Sequence, residues 1–313
     1  MRGLIAALSS DSFLGRMPGT AGEKKTIDFL ADRLRASDVA GGMVGGAYLM
    51  PFAIPQQNKP VPKEVPGFPT GQVEFLRVMN AMGPITSNNV VGKVPGRNPD
   101  GKAVIFMAHW DHLGLCRPEG EPDRICNGAV DNASGSAAVL AVASRVARMS
   151  LDRDVWFVFT SAEEWNLLGA KAFAAAPPLP LDSIVAGFNL DTIAVAPAGM
   201  PVAMIAEKYS PLTQLVKDAA AAVGRSWDGD EEAASFIERQ DGWALASKKV
   251  PMVMAGGSFS DMKKLRAFLS SDYHGKDDEL TVKTDLSGAV EDANLHIELV
   301  RRAASRSFNP QAN

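Results

Sequence analysis

Read as apolar and polar positions, the chain alternates short uninterrupted apolar runs with longer stretches of helical periodicity. Thr20 and Glu23 make a capping box, and Ile27, Leu30, Ala31 and Leu34 follow on one face, which predicts a helix opening at Thr20. The runs 103–108, 155–160, 184–190 and 250–255 have the unbroken apolar character of strands buried on both faces. Helical spacing marks 134–149, where Ala137, Leu140, Ala141 and Ser144 recur, then 167–175, a helix begun at Pro211, and a closing helix over 286–304. Residues 73–79 alternate enough to predict a strand, 89–94 predict another, and Asn98-Pro99-Asp100-Gly101 supplies a turn before 103–108. Between 41 and 71, Pro51, Pro55, Pro60, Pro62, Pro66 and Pro69 exclude interior helix and central strand, so this stretch reads as a surface excursion.

Strand and helix in alternation predict an α/β fold with a largely parallel sheet. No repeat, low-complexity tract or dividing linker interrupts it. Residues 1–313 therefore read as one domain, with the N-terminal helical region and the Pro-rich excursion, 1–72, packed upon it.

Composition narrows the function. At 313 residues and 46% hydrophobic, the chain has the length and apolar content for an ordinary globular core. A formal charge of -4 without a Lys/Arg block gives no footprint for nucleic acid or an anionic membrane surface. No apolar run approaches the roughly 20 residues of a bilayer span. The opening Met1 to Leu8 meets Ser9-Ser10-Asp11 too soon for a signal peptide, which reads as cytoplasmic as written, or as periplasmic or secreted if a signal has been removed. Cys116 and Cys126 lie in a Pro/Gly/charge-rich loop, where a disulfide and free thiols are both open; without a second Cys/His pair nearby they make a poor zinc site.

Ligand-type side chains fall just after the apolar runs, where the carboxyl-end crevice of an open α/β sheet collects its site residues. His109, Trp110, Asp111 and His112 follow 103–108; Asp131 and Asn132 precede the helix at 134; Glu163 and Glu164 follow 155–160; Asp191 follows 184–190; Tyr273 and His274 stand in a polar loop after 250–255. Zinc accepts neutral imidazole nitrogen and carboxylate oxygen, and two neighbouring ions need about five protein ligands when one carboxylate bridges them. His109, Asp131, Glu164, Asp191 and His274 supply that set, and Glu163, left unligated, has the chemistry of a general base. Asp111 and Asp278 are candidates to hold the remote ring N–H of His109 and His274.

Each feature also has a plainer reading. Glu163-Glu164 suits an exposed helix start, Asp131-Asn132 a capping turn, and His112 a loop hydrogen bond, while His296 reads as structural on the last helix. Trp110, Trp165 and Trp243 divide between pocket walls and core filling.

Taken in order, His-x-Asp at 109, Asp-Asn-x-Ser-Gly at 131, Glu-Glu at 163, Asn-x-Asp at 189 and Tyr-His at 273 resemble the co-catalytic zinc aminopeptidases of peptidase family M28. Ser10-Asp11, Gly15-Arg16, Gly19-Thr20 and Gly22 also look like the N-terminal helix region of its bacterial members, so the resemblance covers roughly residues 5 to 305. It implies a three-layer α/β/α sandwich with a mixed, largely parallel central sheet and two zinc ions per chain. It further implies that Asp131 bridges the metals, that His109 and Asp191 hold one and Glu164 and His274 the other, and that Glu163 is the catalytic acid/base. Hydrolysis by a metal-bridging hydroxide, on peptides with a free N-terminus, is the activity implied.

The chain departs from the family pattern in three places. Thr192 follows Asp191 where Met is usual, and Arg239-Gln240-Asp241-Gly242 replaces Ser-Asp-His; both changes are expected on substrate-side walls. The short spacing from Asn88 to His109 leaves no room for the protease-associated insert of many bacterial relatives. Competing expectations are a glutaminyl-peptide cyclase on the same fold, which lacks the first-motif His; a non-catalytic binding module; and a carboxypeptidase, for which Arg239 would receive the terminal carboxylate.

Overall fold

In the computed structural model, which describes residues 1–61, 70–206, 209–229 and 232–310, the four unbroken apolar runs are the four central strands. Strands in chain order are β1 (Ala40–Gly41), β2 (Leu49–Ile54), β3 (Ile85–Val94), β4 (Ala103–His109), β5 (Gly114–Leu115), β6 (Ile125–Cys126), β7 (Asp154–Thr160), β8 (Ile184–Asn189), β9 (Ala203–Ile205) and β10 (Met252–Gly256). Among the described residues eight of them form one mixed sheet, ordered β1-β3-β7-β4-β8-β10-β9, with β2 also paired to β3. The centre β7-β4-β8-β10 is parallel; β3, β1, β2 and β9 run antiparallel to their neighbours. Pro51 sits in β2, which pairs only with β3, so its missing N–H is tolerated.

The helices are α1 (Arg2–Leu8), α2 (Ala21–Ala36), α3 (Thr70–Ala81), α4 (Gly135–Val146), α5 (Leu168–Ala175), α6 (Thr213–Ala222), α7 (Gly242–Ala246), α8 (Met262–Ser270) and α9 (Ser287–Ala303). Period-2 geometry sends alternate residues of β4 to opposite faces. Val104, Phe106 and Ala108 join a core closed by α2, α4, α6 and α9, while Ala103, Ile105 and Met107 meet Phe173 of α5 and Leu245 of α7. The result is the expected α/β/α sandwich. Burying each of Phe106, Phe157 and Phe188 contributes about 1.5–3 kcal/mol; the Phe106 ring stacks on Phe157 at 5.7 Å and meets Phe188, tilted, at 5.2 Å.

The predicted capping box is present in modified form. Thr20 Oγ1 accepts from Gly22 N, and Glu23 Oε2 accepts from Gly19 N at 2.6 Å. The second oxygen of Glu23 accepts from Ser87 Oγ and Asn88 N, so one carboxylate both caps α2 and fixes it to β3. The strand expected over 73–79 is instead part of α3. Phe75 and Met79, four apart, are buried against Met17, Ile54 and Trp165, while Glu74 and Arg77 pair on the outer side. Helical spacing of the two largest contacts outweighs the apparent alternation. Pro62, Pro66 and Pro69 of the excursion lie outside the described residues.

His296 of α9 confirms its structural reading. Its ring is enclosed beside Phe106 and Phe188, Nδ1–H donates to Asp292 O at 2.7 Å, and burial pushes it down to about 4 from 6.5. The folded chain therefore binds fewer protons here than the unfolded chain between those values, so this contribution to stability is complete above pH 6.5 and is lost as pH falls toward 4. Urea unfolding of wild type and His296→Leu should show the variant gaining about 2 kcal/mol relative to wild type between pH 7.5 and pH 5. Parallel pH curves for the two would show that the buried ring carries no such linkage.

Candidate active site

The site lies where the parallel strands end. His109 is the last residue of β4, and its carbonyl accepts from Ser136 Oγ at 2.9 Å, which ties it to α4. Glu163 and Glu164 follow β7, Asp191 follows β8, and Asp131, its own backbone extended, lies in the wide turn Ala129–Ser134 that leads into α4. Asn132 joins two of these loops: its Nδ2 donates to Leu190 O at 3.0 Å and its Oδ1 accepts from Gly135 N. His274 follows α8 with positive φ, its ring stacked on Tyr273 at 3.6 Å between centroids.

All five residues expected to hold metal converge. Asp131 presents Oδ1 to His109 Nε2 and Oδ2 to His274 Nε2, each at 3.2 Å. Asp191 Oδ1 is 3.4 Å from His109 Nε2, and Glu164 Oε2 is 2.8 Å from His274 Nε2. His112 enters the same cluster, with Nδ1 3.0 Å from Glu164 Oε1. Thr192, in the place of the family's Met, donates its hydroxyl to Asp191 Oδ1 at 3.0 Å.

The supporting residues divide the work differently from the sequence expectation. His109 Nδ1 lies 3.2 Å from the backbone carbonyl of Asp111 and 3.6 Å from its carboxylate, which instead accepts from Glu163 N and Glu164 N. Asp278 does not hold His274: its two oxygens accept from Val130 N at 2.8 Å and Asp131 N at 2.9 Å, fixing the turn that carries Asp131. A carboxylate within reach of unpaired turn N–H groups satisfies them in preference to a ring already facing other acids.

Arg16 was legible only through the N-terminal resemblance, yet it organises the whole region. Fully buried, it donates to Leu8 O, Trp110 O, Asn127 O and Gly128 O, joining the end of α1 to the segments before Asp111 and Asp131. The Cys116–Cys126 disulfide closes the β5–β6 hairpin next to the same backbone, which resolves the cysteines as structural.

Burial governs the electrostatics. It raises Glu163 well above the usual carboxylate range, helped by Glu164, Asp241 and Asp191 and opposed by His109. Asp131 is held low, against burial, by His109 and His274, and His274 is carried up to about 9, against burial, by Glu164 and Asp131. This reciprocal shift means the acids demand positive charge. Asp131 Oδ2 and His274 Nε2 have no hydrogen-bond partner although both are buried. Imidazole nitrogens and carboxylate oxygens in two sets, His109/Asp131/Asp191 and His112/Asp131/Glu164 with His274 beside the latter, fit zinc, which takes such donors at tetrahedral sites.

A cavity opens beside Asp191, walled by Ile205, Phe236, Met254, Phe259, Leu265 and Leu269. Arg239 stands at it, its guanidinium 5.4 Å from the Phe236 ring. Asp241, by contrast, is not on the wall. It is buried under the site, accepts from Thr160 Oγ1, and is pushed by burial up to about 7. Trp110 and Trp165 also fall outside the cavity: Trp110 is core, its indole N–H donating to Asn88 O, and Trp165 packs edge-on against Phe75. Their large apolar rings fill space between layers.

A three-layer α/β/α fold gathering imidazoles and carboxylates at its strand ends defines a metal-dependent hydrolase. The profile of peptidase family M28 matches residues 89–297, and the chain belongs to that family. It is 31% identical over 87 residues to the vacuolar membrane protease of Vanderwaltozyma polyspora, a stretch covering 28% of this chain and 8% of that protein, so it matches less than a tenth of that relative's length. The zinc aminopeptidase BSAP of Bacillus subtilis superposes with TM-score 0.69 at 16% identity, covering 99% of this chain and 96% of that one. The glutaminyl cyclase of Porphyromonas gingivalis superposes with TM-score 0.63, also at 16% identity, over 95% of both chains. At these identities the likeness is one of fold.

Because Asp278 holds the turn bearing Asp131, Asp278→Ala should weaken zinc binding about 10–100-fold in chelator competition while the metal-free protein stays folded. Unchanged affinity would show that the turn holds its shape unaided.

Proposed function

We propose that the chain is a zinc-dependent aminopeptidase that removes apolar residues from the free N-termini of peptides. The observation that carries this reading is Asp131 shared between two donor sets, with Glu163 unpaired beside them and the apolar cavity adjoining Asp191. His109, Asp191 and Asp131 would hold one ion and Glu164, His274 and Asp131 the other. Two zinc ions so held supply Lewis-acid polarisation of the scissile carbonyl and lower the pKa of water.

The chain's own residues account for the proton traffic. Glu163 is anchored through its backbone N–H to Asp111, and its raised affinity for a proton suits a base that takes one from water and returns it to the departing amine nitrogen. The Asp191 carboxylate lines the cavity, which favours a substrate's α-ammonium there. Ile205, Phe236, Met254, Phe259, Leu265 and Leu269 make most of the wall apolar, with Arg239 at one side of it, which favours Leu-like or Met-like first residues. His109, complete in its donor set, supports the peptidase over the cyclase reading.

Short peptides beginning with Leu or Met should release their first residue in a chelator-sensitive, zinc-restored reaction, faster than peptides beginning with Asp or Gly. An N-acetyl cap should stop it. Cleavage indifferent to the cap would replace this reading with carboxypeptidase or endopeptidase action, and one metal per chain by elemental analysis would favour the cyclase. Glu163→Gln is expected to lose turnover by about 100-fold or more while keeping its zinc. Near-normal turnover in that variant would remove Glu163 from the mechanism.

A further inference from the structure

His112 lies within one of the two donor clusters by distance, but the ligand set proposed above takes His274 there and leaves His112 without a role. Its ring is wholly enclosed, with Nδ1 3.0 Å from Glu164 Oε1 and 3.7 Å from Asp131 Oδ2. The other oxygen of Glu164 faces His274 Nε2 at 2.8 Å, so each oxygen of this carboxylate has its own imidazole. His112 Nε2 has no hydrogen-bond partner. With an acceptor at Nδ1 and none at Nε2, the neutral ring carries its proton on Nδ1.

The ring's seat is built rather than incidental. Gly128 packs against it at φ +55, and a Cβ there would lie 2.6 Å from two ring atoms. Arg16 clamps the carbonyl of that glycine at 3.0 Å and, through Nε, the carbonyl of Trp110 two residues before His112. Leu113, the next residue, is buried beside the Cys116–Cys126 disulfide. Backbone on both sides of the imidazole is thus held by contacts that do not involve the metal ligands.

We propose that His112 is a positioning residue of the second metal site: its Nδ1–H holds Glu164 Oε1, leaving Oε2 as the single oxygen offered to the ion shared with His274 and Asp131. The proposal rests on the reading of Glu164 as a ligand. A carboxylate free to swing between one-oxygen and two-oxygen binding pays for its ordering when the ion arrives; one already held does not, and outer partners of this kind commonly change metal affinity about 10–100-fold.

The test is zinc and cobalt binding by wild type, His112→Ala and His112→Asn, read by chelator competition and by the visible absorption of bound cobalt, without any peptide. His112→Ala is expected to weaken one of the two ions about 10–100-fold and leave the other as in wild type. His112→Asn, whose side-chain N–H can replace Nδ1–H, is expected to restore most of that loss and the cobalt spectrum. Wild-type affinity for both ions in His112→Ala overturns the proposal. So does a loss that His112→Asn fails to restore, which would assign a ring nitrogen to the metal itself. A wild-type protein that binds two ions but releases no amino acid from peptides would overturn the proposed activity and leave this result standing.

Discussion

The concentration of buried acid at one end of the sheet is the constraint that the rest of this structure answers. Asp111, Asp131, Asp191, Asp241 and Asp278 are buried there, with the half-buried Glu163 and Glu164 among them, in a region where water is scarce and like charges repel strongly. Three kinds of counterweight are present. Backbone N–H groups of Val130, Asp131, Glu163 and Glu164 point at the supporting carboxylates. Imidazoles face the central ones. Arg16 adds a whole positive charge while spending its hydrogen bonds on carbonyls, at the cost of having its pKa lowered by burial to about 10. What remains unbalanced is negative charge at the donor sets, and that is the attraction a divalent cation would meet.

Much of this was legible because the strands are buried on both faces. An uninterrupted run such as 103–108 leaves one reading, and it fixes where the next polar residues must emerge. The five candidate donors could therefore be picked out by order along the chain, and they converge in the fold. The supporting contacts were not legible, since they join residues far apart in sequence: Asp278 reaches back to Asp131, and Arg16 to Gly128. A side chain's partner in such a contact depends on loop paths, for which periodicity carries no signal. The same limit explains Trp110, whose neighbours in the chain are site residues while its ring belongs to the core. In 73–79 both periods were present, and the choice fell to Phe75 and Met79 finding a hydrophobic seat that a strand would have halved.

Superposition on an aminopeptidase and on a glutaminyl cyclase, at equal sequence identity, shows how little the sandwich itself says about chemistry. The layers set the separation and direction of the strand ends. Which reaction follows is decided by a few atoms beyond them: in the function proposed here, the oxygen pair of Asp131 and the carboxylate of Glu163.

The cavity draws its walls from β9, the Glu232–Arg239 turn, β10, the Gly257–Phe259 turn and α8, all later in the chain than four of the five donors. On the proposed function, most of the wall that selects the substrate is thus carried by a later stretch of sequence than most of the donors. A substitution in that later stretch reshapes what is admitted without touching the four earlier donors. The exceptions are Asp191, a proposed donor that itself lines the cavity, and Tyr273, stacked on His274 and part of the cavity at once. At those two positions, a change of taste is also a change of chemistry.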